Sequence, residues 1–339
     1  MYDKFSLDQQ ELQKVIIKQI KTHYSIEVEE LTLLKIGADT EAKIYKALAS
    51  DELIFFVKSK YDLKNTLATD IPKLLSERGI KELIAPIHTI NNKSALTIEN
   101  FSLSVFPFIN GEDGFTRDLT SEQWVILGKT LRQIHNLQVP FSIRKQIPEE
   151  QFSSKWRNKL RSIYFLIESE QFVDELSLNL VEFIKKNRDT IQELIERSES
   201  LAKELQTQEL EFVFCHSDIH AGNVLIGDDE RIYIVDWDSP IIAPRERDLM
   251  FIGAGVANVW NNTYEEKLFY KGYGEIKINK RAISYYRYER IVEDIAIYCQ
   301  CLLFEKHSKD DRQVMNKHFF DMFKKNGVVD IALRTDFLH

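Results

Sequence analysis

Three oxygen-bearing side chains lie close together along the chain and have the types that phosphoryl transfer requires. Asp218 precedes Asn223 by five positions, and Asp236 follows Asn223 by thirteen. A carboxylate can accept a proton from an alcohol, whereas an amide oxygen and a second carboxylate are hard ligands suited to Mg²⁺. The pattern therefore predicts a catalytic base at Asp218 and a magnesium site at Asn223 and Asp236.

Short apolar runs indicate how these side chains are positioned. A buried strand is predicted just before the loop of Asp218. Two further runs, 224–226 and 232–235, flank a polar turn and read as a hairpin. Antiparallel pairing would bring Asp236 back to the neighbourhood of Asn223. The alternative is that these are ordinary loop and cap residues, but it leaves the hairpin between the two ligands unexplained.

The motif His-x-Asp-x-x-x-x-Asn, followed by Asp-Trp-Asp, resembles the catalytic and metal segments of the aminoglycoside phosphotransferase family, which has the protein-kinase-like fold. Within that family the chain is most similar to the spectinomycin 9-phosphotransferases. The segments that carry this closer resemblance are 37–40, 215–225, 234–238, 243–253 and 258–261. They are spread over most of the chain.

The resemblance implies an α+β, bilobal kinase-like fold. Residues 1–109 would form an N-terminal nucleotide-binding lobe with a five-stranded antiparallel sheet plus helices. Residues 110–339 would form a mostly helical C-terminal lobe with the catalytic loop, the metal site and the acceptor site. Hydrophobic periodicity agrees, because strands and one helix near 67–78 dominate the first third, and amphipathic helices follow from residue 120 onward.

Lys58 is the predicted phosphate-binding lysine. It follows four apolar residues of a predicted strand, where a lysine is unusual unless an anion neutralises it. Lys60 lies on the same face and is the alternative for this role. The competing interpretation is that Lys58 is an edge lysine that protects the sheet. In kinase-like folds a helix carboxylate holds this lysine, and Asp70 is the candidate here, although helix capping suits it equally.

The other residues predicted to bind nucleotide are Gly37, Asp39, Thr40, Phe106, Pro107 and Ile109. The first three lie between the first two predicted strands, where backbone N–H groups and a hydroxyl can face phosphates, unless the segment is an ordinary hairpin turn. The last three resemble the interlobe hinge of the family. There the carbonyl of residue 107 would accept from the adenine amine, and the N–H of residue 109 would donate to the ring.

Asp238, Trp260 and Glu293 are the predicted contacts of the acceptor. Carboxylates and an aromatic face suit a compact cation that carries ammonium groups. As an alternative, Glu293 and its neighbour Asp294 would pair with arginines on their own predicted helix.

The histidines near these residues, and one aspartate, are expected to be structural. His216 and His220 would set the loop around Asp218. His135 lies on the core face of a predicted helix and is expected to have satisfied hydrogen bonds. Asp248 is expected to bind the backbone of the catalytic loop.

The function that these patterns indicate is transfer of the γ-phosphate of ATP or GTP, with Mg²⁺, to a hydroxyl of an aminocyclitol or aminoglycoside antibiotic such as spectinomycin. One alternative is a kinase of the same fold that acts on a metabolite alcohol resembling choline, a sugar or homoserine. A catalytically inactive nucleotide-binding scaffold is the other alternative. The intact set of Asp218, Asn223 and Asp236 argues against an inactive scaffold.

Composition narrows the partners. The 339 residues are 44% hydrophobic and carry a net charge of −8, which argues against nucleic acid and is compatible with a small cationic substrate. No protein partner is indicated. The three cysteines, Cys215, Cys299 and Cys301, are too few for a disulfide framework, and Cys299-x-Cys301 lacks the second ligand pair of a zinc site. Without a signal peptide or membrane-length apolar run, a cytoplasmic protein is expected.

Overall fold

The structure is a computed structural model that describes residues 9–34, 42–61, 66–98 and 101–336. Its strands are β1 (Val28–Leu34), β2 (Ala42–Ala49), β3 (Ile54–Lys60), β4 (Leu96–Ile98), β5 (Phe101–Pro107), β6 (Gly111–Asp113), β7 (Phe212–Cys215), β8 (Val224–Gly227), β9 (Ile232–Ile234) and β10 (Ile241–Pro244). Its helices are α1 (Gln9–Tyr24), α2 (Leu67–Glu77), α3 (Ser121–His135), α4 (Phe141–Arg144), α5 (Lys155–Ser169), α6 (Glu175–Lys186), α7 (Arg188–Leu205), α8 (Glu246–Leu249), α9 (Thr263–Tyr273), α10 (Lys280–Phe304), α11 (Lys309–Met322) and α12 (Val328–Thr335).

Contacts along the chain divide it into two compact units. Unit 1 takes the described residues up to Arg117 together with Val139–Ile147 and Asn223–Pro240. Unit 2 takes Asp118–Gln138, Pro148–Gly222 and the described residues from Ile241 onward. The predicted lobes, 1–109 and 110–339, divide the chain differently. The physical reason is that β6 pairs with β8, which brings the hairpin of the predicted metal ligands into unit 1.

Unit 1 contains the five-stranded antiparallel sheet, in the order β1-β2-β3-β5-β4. Side chains alternate between the two faces of each strand. One face carries Val57 of β3 and Val105 of β5, which are fully buried against α1. Helix α1 contributes Leu12 and Ile16, which lie on one face because they are four residues apart. Each such buried aliphatic side chain stabilises the fold by about 1.5–3 kcal/mol.

Unit 2 is mostly helical and is organised around α10. This helix packs against α5, α7, α8, α11 and α12. Helices α3 and α9 cross very closely because each presents a glycine at the contact. A Cβ atom at Gly128 would lie 2.1 Å from the carbonyl oxygen of Phe269, and one at Gly272 would lie 2.0 Å from that of Val125. Neither position has room for a larger side chain.

The observed elements match most of the predicted ones and add two short strands. Helix α7 coincides with the amphipathic helix that hydrophobic spacing predicts over 188–205. The hairpin of β8 and β9 lies where two apolar runs predict it, and α2 ends one residue before its predicted end. The sequence does not predict β6 or β10, which are each only a few residues long. In the part of the chain that the structure describes, every helix is too short or too polar to cross a lipid bilayer.

Candidate active site

One buried carboxylate in unit 2 holds the loop that follows β7. Asp248 in α8 accepts hydrogen bonds from the backbone N–H groups of His216, at 2.9 Å, and Ser217, at 2.6 Å. Such charge-assisted bonds are roughly twice as strong as neutral ones. Ser217 has a φ of 77°, a conformation that costs free energy for a non-glycine residue and that these bonds offset. The prediction that Asp248 binds the loop backbone is confirmed.

His135 supports Asp248 in turn. Its Nε2 lies 2.9 Å from Asp248 Oδ2, and its Nδ1 lies 2.7 Å from the hydroxyl of Tyr273. Burial acts to raise the pKa of Asp248, but the hydrogen bond and charge of His135 outweigh burial, so the pKa lies below its usual value. The carboxyl is therefore ionised, as its role as an acceptor requires. His135 is confirmed as a core histidine with both ring nitrogens satisfied.

Asp218 is half-buried and is fixed on three sides. Its Oδ1 accepts a hydrogen bond from Arg290 Nη1 at 2.6 Å, its Oδ2 lies 3.6 Å from His220 Nε2, and its N–H donates to His216 Nδ1 at 3.2 Å. Burial acts to raise the pKa of Asp218, but the charge of Arg290, followed by those of His220 and His216, outweighs it and lowers the pKa. Asp218 is therefore ionised and can accept a proton.

Both histidines of the loop have the structural contacts that the sequence predicts. His216 is 1% exposed, and its Nδ1 is occupied by the N–H of Asp218. His220 Nδ1 accepts from the N–H of Gly222 at 3.1 Å. A neutral His220 therefore carries its proton on Nε2, the nitrogen nearer to Asp218.

Arg290 is the residue near Asp218 whose role sequence reasoning missed. It lies on α10, and besides contacting Asp218 it donates through Nε to Asp294 at 2.9 Å. Burial acts to lower the pKa of Arg290, but the charges of Asp294 and Asp218 outweigh burial and raise it. The guanidinium thus joins two carboxylates in one rigid arrangement, which its planar fork of donors suits.

The alternative pairing of the acidic residues with arginines of their own helix is correct for one pair only. Asp294 pairs with Arg290, but Arg287 donates instead to the carbonyl oxygens of Met250 and Ile252. Glu293 is half-buried, and burial raises its pKa although the charges of Arg290 and Arg247 oppose that shift.

In unit 1, Lys58 pairs with Asp238. Lys58 Nζ lies 3.0 Å from each carboxylate oxygen of Asp238, and Lys60 Nζ lies 2.8 Å from Oδ2. Burial acts to raise the pKa of Asp238, but the lysines outweigh burial and lower it. The carboxylate predicted to contact the acceptor thus pairs with the predicted phosphate-binding lysine, and its contact with an acceptor stays a prediction. Lys60, the predicted alternative to Lys58, contacts the same carboxylate.

Asp70 is engaged elsewhere. Its two oxygens accept hydrogen bonds from the hydroxyls of Thr66 and Ser94, both at 2.6 Å. The prediction that Asp70 holds Lys58 is therefore replaced by the observed pair of Lys58 and Asp238. Asp70 and Lys58 nevertheless both line one cavity of about 340 Å³ between α2 and the sheet.

The predicted metal ligands flank a hairpin, as expected. Strands β8 and β9 are antiparallel, and the N–H of Val235 donates to the carbonyl of Asn223 at 3.0 Å. Asn223 directly precedes β8, and Asp236 follows two residues after β9. Asp236 is exposed and has a φ of 63°, while its neighbour Trp237 is anchored by a bond from Nε1 to the carbonyl of Ile234 at 3.1 Å. An amide oxygen and an exposed carboxylate are a donor set that fits Mg²⁺.

The face of the five-stranded sheet that carries Lys58 is aromatic at one end and cationic at the other. Phe56 pairs in register with Phe106, and their rings meet edge to face with centroids 6.2 Å apart. Two residues further along the same face, Lys58 pairs with Ser104. Strand β5 ends at Pro107, so the predicted hinge residues Phe106, Pro107 and Ile109 begin at the aromatic end.

The remaining predicted site residues are three phosphate contacts near the N-terminus and one aromatic contact of the acceptor. Gly37, Asp39 and Thr40 lie outside the described residues. Trp260, predicted as an acceptor contact, is only 6% exposed and packs edge-on against Trp124, with ring centroids 4.9 Å apart. Its ring is part of the core of unit 2, which corrects that prediction. Its type alone could not distinguish a core position from a binding face.

Residues 69–276 match the phosphotransferase enzyme family, and the chain belongs to that family.

Two solved structures are similar over nearly the whole chain. One is spectinomycin phosphotransferase APH(9)-Ia in complex with ADP and spectinomycin, with 45% sequence identity, a TM-score of 0.90, and coverage of 97% of this chain and 99% of that one. The other is the AMP-bound complex of APH(9)-Ia, with 44% identity, a TM-score of 0.86, and coverage of 94% and 98%. The predicted family and kinase-like fold are confirmed.

A curated relative is more distant. Protein StrN of Streptomyces griseus is 25% identical over 185 residues, which are 53% of this chain and 57% of StrN. The chain thus matches little more than half the length of that relative.

Proposed function

We propose that this protein transfers the γ-phosphoryl group of a nucleoside triphosphate to a hydroxyl of spectinomycin or a closely related aminocyclitol. The observation that carries the proposal is the similarity to a spectinomycin phosphotransferase, at 45% identity over 97% of the chain. The ionised Asp218, fixed by Arg290, supports it because the acceptor hydroxyl needs a positioned carboxylate.

The nucleotide is held by unit 1. Its base lies at the aromatic end of the sheet, beside Phe106, where the carbonyl of Pro107 accepts from the exocyclic amine and the N–H of Ile109 donates to the ring. Its phosphates lie at the cationic end, where Lys58 and Lys60 leave Asp238 and bind phosphate oxygens. Gly37, Asp39 and Thr40 are proposed as further phosphate contacts. The polarity of the sheet face supports this direction of the nucleotide, since a purine stacks on aromatic rings and phosphate binds lysine.

Asn223 and Asp236 would hold Mg²⁺. Their oxygens suit a hard divalent cation, and the exposed Asp236 leaves room for water and phosphate ligands. Bound there, the ion would neutralise charge on the phosphate oxygens.

Asp218 orients the acceptor hydroxyl and takes its proton late in the reaction. Phosphoryl transfer passes through a loose transition state, so the base needs position more than strength, and its lowered pKa does not hinder it. Arg290 keeps the carboxylate in place, while the bond from the N–H of Asp218 to His216 fixes the backbone. Most of the acceleration therefore comes from orientation of the reacting groups.

The acceptor binds as a cation. Glu293 and Asp294 lie three and four residues after Arg290, one turn further along α10, and their carboxylates supply the negative charge that an ammonium group of an aminocyclitol requires. Because burial raises both pKa values, a cationic ligand that brings compensating charge favours their ionised forms.

The test is phosphate incorporation with purified protein, Mg²⁺ and either ATP or GTP. The acceptor panel contains spectinomycin, other aminocyclitols, aminoglycosides, choline, ethanolamine and homoserine. We expect spectinomycin to gain the mass of one phosphoryl group, with no product from Asp218→Ala. Turnover of a metabolite alcohol but of no aminocyclitol would replace the proposed acceptor, and nucleotide binding without turnover of any acceptor would contradict the kinase proposal.

A further inference from the structure

Three side chains with metal-binding atoms meet at the C-terminal end of α10. The thiol of Cys301, the carboxylate of Glu305 and the imidazole of His307 bring one ligand atom each within 4.8 Å of one another. Cys301 and His307 are partly buried, while Glu305 is exposed, so an ion can reach them from solvent. Sulfur, nitrogen and oxygen donors together are typical of zinc and not of Mg²⁺.

The spacing of these atoms suits a tetrahedral ion. Zinc bonds of about 2.0–2.3 Å place neighbouring tetrahedral ligand atoms about 3.3–3.6 Å apart. His307 Nε2 and Glu305 Oε2 are already 3.3 Å apart. Since the sulfur of Cys301 lies within 4.8 Å of both, a side-chain shift of about 1 Å completes a three-ligand set. Water would supply the fourth ligand.

The backbone that carries the three side chains is fixed before any ion binds. Cys301 lies in the last turn of α10, and Glu305 is the C-cap of that helix. Ser308 is the N-cap of α11, and its hydroxyl accepts from the N–H of Asp311 at 3.1 Å. His307 therefore stands between the end of α10 and the capped start of α11, so that binding an ion orders few additional dihedral angles.

Arg312 stabilises the junction between α10 and α11. From α11 it donates to the carbonyl of Leu302 at 3.0 Å and to Asp174, the N-cap of α6, at 2.8 Å. These bonds hold α11 against the end of α10. The carbonyl groups at the C-terminus of a helix carry partial negative charge, which favours a cation there.

A second cluster of metal-binding atoms in the described residues offers a useful contrast. His135, Cys215 and Asp248 also lie close together, but both nitrogens of His135 and both oxygens of Asp248 are already occupied by hydrogen bonds. That cluster is buried and structural. In the cluster at the end of α10, the carboxylate of Glu305 takes hydrogen bonds from the thiol of Cys301 and from Nε2 of His307, at 3.3 Å, and an ion bound by all three side chains would replace both bonds.

We propose that Cys301, Glu305 and His307 bind one zinc ion, which fastens the end of α10 to the start of α11. Cys299-x-Cys301 lacks the second ligand pair of a zinc site of paired cysteines, whereas the structure brings a carboxylate and an imidazole close to Cys301. Because α10 also carries Arg290, the ion would stabilise the helix on which the partner of Asp218 lies.

Cobalt(II) is the probe, because it replaces zinc and its spectrum reports the ligands. The full chain, freed of metal with a chelator, is titrated with Co²⁺ and then with Zn²⁺. We expect one equivalent to produce a thiolate-to-cobalt charge-transfer band together with the strong visible bands of a tetrahedral site, and zinc to abolish both. Cys301→Ser should remove the charge-transfer band, and His307→Ala should weaken binding at least tenfold.

His318→Ala is the matched control, since His318 is an exposed histidine of α11 outside the cluster. It should bind cobalt like the parent protein. Zinc should raise the melting temperature of the parent and of this control, but not of Cys301→Ser or His307→Ala. A charge-transfer band that persists in Cys301→Ser would overturn the proposal, as would saturation only at millimolar cobalt. If Cys301→Ser does not fold, unchanged binding by Glu305→Gln and His307→Ala would overturn it equally.

Discussion

Asp218 in unit 2 and Asp238 in unit 1 are both half-buried carboxylates held by cationic side chains, but their partners differ. Asp218 is held by the guanidinium of Arg290, which is also bonded to Asp294 on its own helix. Asp238 is held by the ammonium groups of Lys58 and Lys60 on one strand. In both pairs the pKa of the aspartate is lowered because the cations outweigh burial.

The difference lies in what each partner must do during the proposed reaction. Arg290 is a planar fork anchored at two carboxylates, which suits a contact that persists throughout turnover. The lysines are flexible point charges, and they are the residues proposed to bind phosphates. In the proposed reaction the first pair would therefore position a base, whereas the second would keep two cations neutralised until a nucleotide replaces Asp238. Similar pKa shifts thus accompany opposite roles.

The largest effect is expected at the base. Asp218→Asn keeps the shape of the side chain but removes its ability to accept a proton, so kcat should fall by about 10²–10⁴-fold. The KM for nucleotide should not change, because the nucleotide contacts proposed here lie in unit 1. Steady-state kinetics with varied ATP measure both constants. Asp228→Asn, in the exposed turn between β8 and β9, is the matched control and should keep full activity.

A smaller loss is expected at the two lysines. Lys58→Met should lower kcat/KM for nucleotide by about 10²-fold, because one preorganised charge on the phosphates is lost. Lys60→Met should have a weaker effect, and Lys73→Met, which lines the same cavity without contacting Asp238, should have almost none. The same kinetic assay ranks the three variants. A greater loss from Lys60→Met than from Lys58→Met would exchange their assignments.

Arg290 should control the pH profile. The charge of Arg290 lowers the pKa of Asp218, so Arg290→Gln should raise that pKa and move the acidic limb of the kcat/KM profile to higher pH. At neutral pH kcat should fall by about tenfold through lost positioning, or ~1.4 kcal/mol. Arg290→Lys keeps the charge without the fork, so it should retain most of the parent's acidic limb. An unshifted limb in Arg290→Gln would assign that limb to another group.

The smallest effect is expected at Asp238. Asp238→Asn removes the carboxylate that competes for the lysines, so ADP should bind about 2–5-fold more tightly in the absence of Mg²⁺, equivalent to less than ~1 kcal/mol. Calorimetric titration with ADP in a chelator measures this. Weaker binding of ADP would mean that Asp238 organises the lysines instead of competing with phosphate, and the contrast with Arg290 would then disappear.

The pattern of apolar residues predicted helices and strands well, because each helix or strand depends mainly on residues that are neighbours in the sequence. Two short apolar runs on either side of a polar turn located the hairpin that joins Asn223 to Asp236, and helical periodicity located α7. The role of Asp248 also followed, since the motif that contains it resembles the family over a continuous segment.

Local patterns of apolar residues could not predict contacts between residues that are far apart in the sequence. Arg290 contacts Asp218 across 72 residues, and Lys60 contacts Asp238 across 178. Helical spacing indicated only local pairs of Glu293 and Asp294 with arginines of their own helix, and of these the pair of Arg290 and Asp294 is observed. Periodicity specifies the face on which a side chain lies, but the partner of that face depends on how the helices and strands pack. Trp260 illustrates the same limit, because an aromatic residue suits both a core and a binding surface.

The two glycines at the crossing of α3 and α9 determine more than a helix contact. Gly272 directly precedes Tyr273, whose hydroxyl bonds to His135 on α3, and His135 bonds to Asp248, which holds the N–H of Ser217. Separating the two helices by the width of one methyl group would lengthen the hydrogen bond between Tyr273 and His135, and so disturb the bonds of His135 and Asp248 that depend on it. A substitution as mild as Gly272→Ala would then disturb the alignment of the nearby base without touching any residue that contacts a substrate.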